Sequence, residues 1–156
     1  MNQPLHRGQL RFLVFSASLR SDSLNTDLAT LAALTIRAKG ADVDLASMAD
    51  FDCPSYNQDV QLGRGFPDVA QEFRRRLEAC DGFVISSPEY NGSMPGVLKN
   101  SIDWVSRFNP NAACVVAGAA DDFTRWSRSP SVVARAAAGN FPVLVLAPPA
   151  AGLWSL

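Results

Sequence analysis

The sequence predicts a doubly wound α/β domain built on a parallel sheet, and three observations carry that expectation. Short β-branched and aromatic apolar runs alternate along the chain with amphipathic stretches of helical period. Two polar loops, Ser16 to Asn25 and Ser86 to Gly96, each follow such a run and each lead into a helical stretch. With 156 residues and 47% hydrophobic content, the chain suits one domain with an ordinary core.

Leu10 to Phe15 is mostly apolar, as a strand buried on both faces should be. From Asn25 to Lys39 the positions Leu28, Leu31, Ala32 and Thr35 follow helical spacing, and Gly40 supplies a C-terminal stop. Val43 and Leu45 alternate with Asp42 and Asp44, which gives a short second strand. Residues 47 to 66 read as loop, with Pro54, Gly63, Gly65 and few apolar residues. Pro67 fits the first turn of a second helix, in which Val69, Phe73, Leu77 and Cys80 make one apolar face. The run Arg74-Arg75-Arg76 reads as the solvated side of that helix. Gly82 to Ile85 opens a third strand, and Leu98, Ile102 and Val105 line a third helix from about Pro95 to Arg107. Right-handed crossovers leave few topologies. In the flavodoxin-like order 2-1-3-4-5 the first and third strands are neighbours at the switch point, so the two polar loops face each other where ligands bind.

The net charge of −1 gives no electrostatic footprint for nucleic acid. The apolar stretches are too short to span a bilayer, so no membrane role is expected. Met1 to Gln9 is polar and lacks an apolar signal core, so it reads as a flexible leader before a single domain over residues 10–156. Cys53, Cys80 and Cys114 form no CxxC pair and read as reduced, mostly buried thiols of a cytoplasmic protein. The one histidine, His6, lies in that leader, so the body offers none for a hydrolase triad or a zinc site.

The first loop suits an anion. Ser18, Ser21 and Ser23 offer hydroxyls, Arg20 offers a planar fork of donors, and the helix beginning near Asn25 presents unpaired amides and a partial positive charge. Either Ser23 or Asn25 suits the cap position, and no Glu or Gln three places later closes a capping box. No GxGxxG and no GxxxxGK[ST] follows the first strand, which disfavours a dinucleotide fingerprint and a P-loop. The second loop suits a flat heterocycle. Pro88 and Pro95 stiffen its ends, Gly92 and Gly96 permit close backbone approach, and Tyr90 offers an aromatic wall. Amides from Glu89 to Gly92 are placed to meet ring carbonyls and nitrogens, and Ser93 is placed to cap the next helix.

Ser18-Leu19-Arg20-Ser21-Asp22-Ser23-Leu24-Asn25 resembles the SxRxxSxN phosphate loop of the NADPH-dependent FMN reductases, which include quinone, chromate and azo reductases. Ser87 to Trp104 resembles that family's longer and more specific SPEYNGSxPGxLKNxIDW block. The resemblance covers roughly residues 10 to 107. It implies that Ser18, Arg20, Ser23, Leu24 and Asn25 hold the FMN phosphate, and that Pro88, Glu89, Tyr90, Asn91 and Gly92 hold the isoalloxazine. It further implies hydride transfer from NADPH or NADH to the flavin, then reduction of a small-molecule acceptor: a quinone, free flavin, azo compound or metal oxyanion. It also implies a homodimer or homotetramer with the third helix near an interface, to which Trp104 contributes unless it belongs to the chain's own core. Ala17 stands where many relatives carry Gly.

Residues 108–156 depart from the family pattern and form an atypical or truncated C-terminal third. Ala113 to Gly118 and Phe141 to Leu146 read as strands four and five, with a short helix from Pro130 to Ala138 between them and no closing helix. Alternatively, Phe141 to Leu146 is itself the fourth strand and residues 111 to 140 are foreign to the fold.

Overall fold

The structure is a computed structural model. It describes residues 8–91 and 93–108, and the backbone of 143–146. Four strands form one sheet: β1 (Arg11–Ser16), β2 (Asp42–Ser47), β3 (Gly82–Ser86) and β4 (Val143–Leu146), in the order β2-β1-β3-β4. The first three are parallel. Ser16 pairs with Ser47 on one side and Ser86 on the other, so a row of three serines ends the parallel strands together.

β1 lies at the centre, and Leu13, Val14 and Phe15 are wholly buried there. Its two faces carry separate clusters. Val14, Val43 and Val84 meet helix α1 (Leu24–Ala38) through Ala29 and Ala33, with Phe12, Ala32 and Ile36 alongside. On the other face Leu13, Phe15 and Ile85 pack with Met48, Phe51, Phe73 and Leu98. Phe15, Phe51 and Phe73 form an aromatic triad, with Phe51 and Phe73 stacked at 4.3 Å and Phe15 edge-on to both. Each such ring contributes about 1.5–3 kcal/mol by burial, plus about 0.5–1.5 kcal/mol for each well-oriented ring pair.

α1 ends as expected at Gly40, whose φ of 86° permits a Schellman closure: Gly40 N–H donates to Arg37 and Ala41 N–H to Ile36. The buried stripe is not the one its leucines suggest. Asn25, Ala29 and Ala33 are buried, whereas Leu31 is 60% exposed and Thr35 is also exposed. A helical period identifies the helix without choosing the stripe. Small alanines let α1 sit close against the valines of the sheet, and this contact decides the rotation.

The segment expected as loop contains two short helical pieces. A 3-10 turn, Met48–Phe51, is fixed by a capping box between Ser47 and Asp50. Helix α2 (Gln58–Arg64) is capped by Asn57, whose side chain accepts from Asp59 and Val60, and it buries no residue. It therefore has no apolar period to read. Helix α3 (Asp68–Glu78) follows Pro67 and buries Ala70 and Phe73, with Val69 and Leu77 partly buried. Its arginines divide. Arg74 and Arg75 make exposed pairs with Glu78 and Glu72. Arg76 instead reaches under the sheet to Asp44 of β2, at 2.9 and 2.5 Å, and lies over the Phe51 ring. The solvated reading fails for Arg76 because Asp44 faces α3 from the same side of the sheet. The guanidinium holds the Asp44 carboxyl below its ordinary range, against a smaller opposing effect of burial.

Helix α4 (Gly96–Val105) begins after Pro95, which is wholly buried, and has no side-chain cap. Ser93 is not its cap, because Ser93 is held in the preceding turn. Trp104 is wholly buried in the chain's own core and donates its indole N–H to Pro54 O at 2.7 Å. Ser101 donates to Phe51 O, and Asn100 binds Cys53 O, Pro54 O and Tyr56 N, so α4 pins the whole 51–56 segment. Cys53 is buried there, and burial pushes its thiol pKa up.

The fully parallel sheet needs one correction. β4 pairs with β3 in the antiparallel sense, Ser86 opposite Val143 and Phe83 opposite Leu146. Val143-Leu144-Val145-Leu146 is apolar at every position, so no alternation specifies its direction, and antiparallel pairing is slightly the more favourable per residue. β4 takes the place expected for a fourth strand beside β3. Ala113 to Gly118, the stretch from Pro130 to Ala138, Cys114 and residues 1–7 of the leader lie outside the described residues.

Candidate functional site

The two polar loops leave the sheet from adjacent strands, as their order in the fold predicts. Ser16 and Ser86 are register partners, and the next residue of the first loop, Ala17, donates its N–H to Ser86 O at 2.8 Å. The loops are thereby joined at their origin.

In the first loop the serines organise the backbone. Ser16 Oγ accepts from Ser18 N–H, and Ser18 Oγ accepts from Arg20 N–H at 3.2 Å. Asp22 adopts φ 53°, a left-handed conformation that Asp tolerates better than most residues. Its carbonyl accepts from Arg20 Nη2 at 2.9 Å, which folds the guanidinium back over the loop. Ser23, not Asn25, is the cap of α1 and accepts from Asn25 N–H. These bonds use the hydroxyl oxygens as acceptors. The hydroxyl hydrogens of Ser18 and Ser23 have no acceptor among the described residues, nor do the N–H groups of Leu19, Ser21, Asp22, Ser23 and Leu24. Donors with no partner, at the positive end of a helix of 15 residues and beside a guanidinium, fit an anionic phosphate.

Of the residues expected to hold that phosphate, Ser18, Arg20 and Leu24 are at least partly exposed, whereas Ser23 and Asn25 are each only 4% exposed. Asn25 turns inward, and its Oδ1 accepts the Ser86 hydroxyl at 2.9 Å. Its amide nitrogen has no acceptor among the described residues.

The second loop is built on a tight turn. Tyr90 N–H donates to Ser93 O and Ser93 N–H to Tyr90 O, at 2.9 and 3.0 Å, with Asn91 at φ 53°. Asn tolerates such left-handed backbone in a tight turn better than most residues. One amide expected to meet the ligand, that of Tyr90, is therefore spent on the turn. The N–H groups of Glu89 and Asn91 have no acceptor among the described residues. Tyr90 is 56% exposed, and Glu89 and Asn91 are also exposed; Pro88 is half-buried beside Ser87, and Gly92 lies outside the described residues. Solvent-facing amides and an exposed ring beside an anion cradle fit a flat, hydrogen-bonding heterocycle that carries a phosphate.

Sequence reasoning missed the serine row. Ser16, Ser47 and Ser86 each end a strand, and each side chain is hydrogen-bonded: Ser16 and Ser47 accept from the nearby Ser18 and Ala49 N–H groups, and Ser86 donates to Asn25 across the fold. A polar residue recurring at the same strand end was the available signal. Among the described residues no group of three His, Cys, Asp or Glu side chains is placed to hold a metal ion, and no helix is long and apolar enough to cross a membrane.

The chain is similar in sequence and in fold to known proteins. The chain is 38% identical over 119 residues to an NAD(P)H-dependent FMN reductase of Pseudomonas aeruginosa, covering 73% of this chain and 62% of that protein. It is 44% identical over 100 residues to a 2-hydroxy-1,4-benzoquinone reductase of a Burkholderia species, covering 63% of this chain and 51% of the relative. Among solved structures, the flavoenzyme NAD(P)H:acceptor oxidoreductase FerB of Paracoccus denitrificans superposes with a TM-score of 0.53 at 32% identity, over 63% of this chain and 51% of that one. The chain thus spans between about half and three-fifths of the length of these relatives. The family model described as NADPH-dependent FMN reductase matches residues 10–143, and the chain belongs to that family.

Proposed function

We propose that this chain binds FMN across its two loops and acts as an NAD(P)H-dependent oxidoreductase, with a quinone as the favoured class of electron acceptor. The observation that carries this is the junction of an anion-ready helix start with an exposed, amide-bearing turn, joined through Ala17 and Ser86. The activities of the relatives, an FMN reductase and a benzoquinone reductase, favour the same chemistry. Bound FMN supplies a site that takes hydride from a nicotinamide and releases electrons to an acceptor, so the protein's task is binding, orientation and electrostatics.

Each residue then has a defined part. Arg20, the Ser18 and Ser23 hydroxyls and the free amides from Ser21 to Leu24 hold the phosphate, each charge-assisted bond contributing about 1.5–3 kcal/mol. The amides of Glu89 and Asn91 bind the polar edge of the ring, with Pro88 and Gly92 shaping its seat. Tyr90, exposed at the turn, would flank the ring. The chain works as a homodimer or homotetramer in the cytoplasm. The experiment is addition of FMN to the purified protein, followed by NADPH or NADH and a benzoquinone. FMN-dependent oxidation of the nicotinamide supports the proposal. Flavin binding with no oxidation of either nicotinamide would instead mark an electron-transfer module.

A further inference from the structure

The Ser86 hydroxyl and Asn25 Oδ1 bond to each other and have no part in the ligand contacts assigned to the two loops. Ser86 is 1% exposed and Asn25 4% exposed, so both groups lie beneath the site. A buried polar pair needs mutual satisfaction, and this pair has it through one bond of 2.9 Å. What distinguishes it from a routine core contact is where its ends lie. Ser86 holds the beginning of the first loop through its carbonyl, which accepts Ala17 N–H at 2.8 Å. It holds the end of the same loop through its hydroxyl, which reaches Asn25 in the first turn of α1. Its own backbone continues directly into Ser87 and Pro88, the start of the second loop. One residue thus touches three points that together fix the distance and tilt between the two loops.

We propose that Ser86 and Asn25 form a single positioning unit that sets the phosphate loop against the ring-binding loop. This rests on the FMN reading of the site. The unit touches the ligand through neither the Ser86 hydroxyl nor Asn25 Oδ1. With Oδ1 committed to Ser86, the Asn25 amide NH2 is the end left to face away from Ser86, so the same bond also fixes the orientation of that donor. FMN engages both loops at once, whereas riboflavin, which lacks the phosphate, engages mainly the second. Loosening the link should therefore reduce the advantage of FMN over riboflavin, because the two halves of the site no longer fit one rigid ligand. A purely structural pair would lower the melting temperature and weaken both flavins alike.

The test is a double-mutant cycle of Ser86→Ala, Asn25→Ala and the double variant. Dissociation constants for FMN and riboflavin are measured by flavin fluorescence, and melting temperature is followed alongside. Ser86→Ala is expected to weaken FMN about tenfold and riboflavin less than about twofold, and the double variant should be no worse than the weaker-binding single. Equal losses for both flavins, or losses that multiply in the double variant, overturn the proposal. A wild-type chain that binds neither flavin overturns the FMN reading itself. Wild-type binding with an unchanged flavin ratio in Ser86→Ala overturns only the positioning unit. Should an alanine variant not fold, amide exchange of the wild type decides: riboflavin should slow exchange at Ala17 and Asn25, and unchanged exchange there refutes the link.

Discussion

The Arg76–Asp44 pair offers the sharpest test of how the sheet is held to its helices. Arg76 donates to both oxygens of Asp44, at 2.9 and 2.5 Å, and also approaches Asp50 at 3.3 Å. The side chains of Arg76 and Asp44 are only 14% and 20% exposed. Breaking a fully buried pair costs about 3–5 kcal/mol, and an exposed pair contributes about 0.2–1 kcal/mol. This partly buried, bidentate pair lies between, so Arg76→Met should cost about 2 kcal/mol, most of it from leaving Asp44 without its cation. In a domain of this size that corresponds to a melting point lower by about 4–8 °C. The pH dependence provides an independent check. Asp44 has a lowered pKa when folded, relative to an ordinary value of 3.8. Its contribution is therefore fully present above that value and is lost as pH falls through the lower folded value. Urea denaturation of wild type and Arg76→Met at neutral pH, repeated below the ordinary carboxylate range, should show the gap closing in acid. A gap under about 0.5 kcal/mol at neutral pH, or one that persists in acid, refutes the reasoning.

Arg20→Ala should weaken FMN by about tenfold or more while leaving riboflavin nearly unchanged, because it removes a charge-assisted contact to phosphate alone; parallel fluorescence titrations check this. Asn100→Ala frees Cys53 O, Pro54 O and Tyr56 N together and should lower stability by about 2 kcal/mol in urea denaturation. Cys53, with its thiol pKa raised by burial, should resist alkylation in the native protein at neutral pH and react once the chain is unfolded, as mass spectrometry of the labelled peptide would show.

The strands and longer helices that carry the site were legible in the sequence: alternating runs identified β1, β2, β3, α1, α3 and α4 but not the short α2, and the strand order placed the two loops together. It was less informative wherever tertiary packing chose among equivalent local patterns. The leucines of α1 have good helical spacing, yet Ala29 and Ala33 face the sheet because the valines opposite leave room only for small side chains. Arg76 sits in a basic run that looks solvated, and only the position of Asp44 across the fold separates it from its neighbours. Val143 to Leu146 carries no alternation, so its strand character was readable and its direction was not. In the site, the residue types were legible, but their division of labour was not. Ser23 is the helix cap, Tyr90 spends its amide on the turn, and Asn25 is tied to a serine that ends the third strand.

The central claim is that the two loops make one FMN site, and an anaerobic titration of the purified chain tests it most directly. FMN is added first, then NADPH or NADH in separate runs, with the flavin spectrum followed throughout. The account predicts saturable FMN binding near one per chain and bleaching of the bound flavin by at least one nicotinamide. A chain that leaves the FMN spectrum and fluorescence unchanged would contradict it.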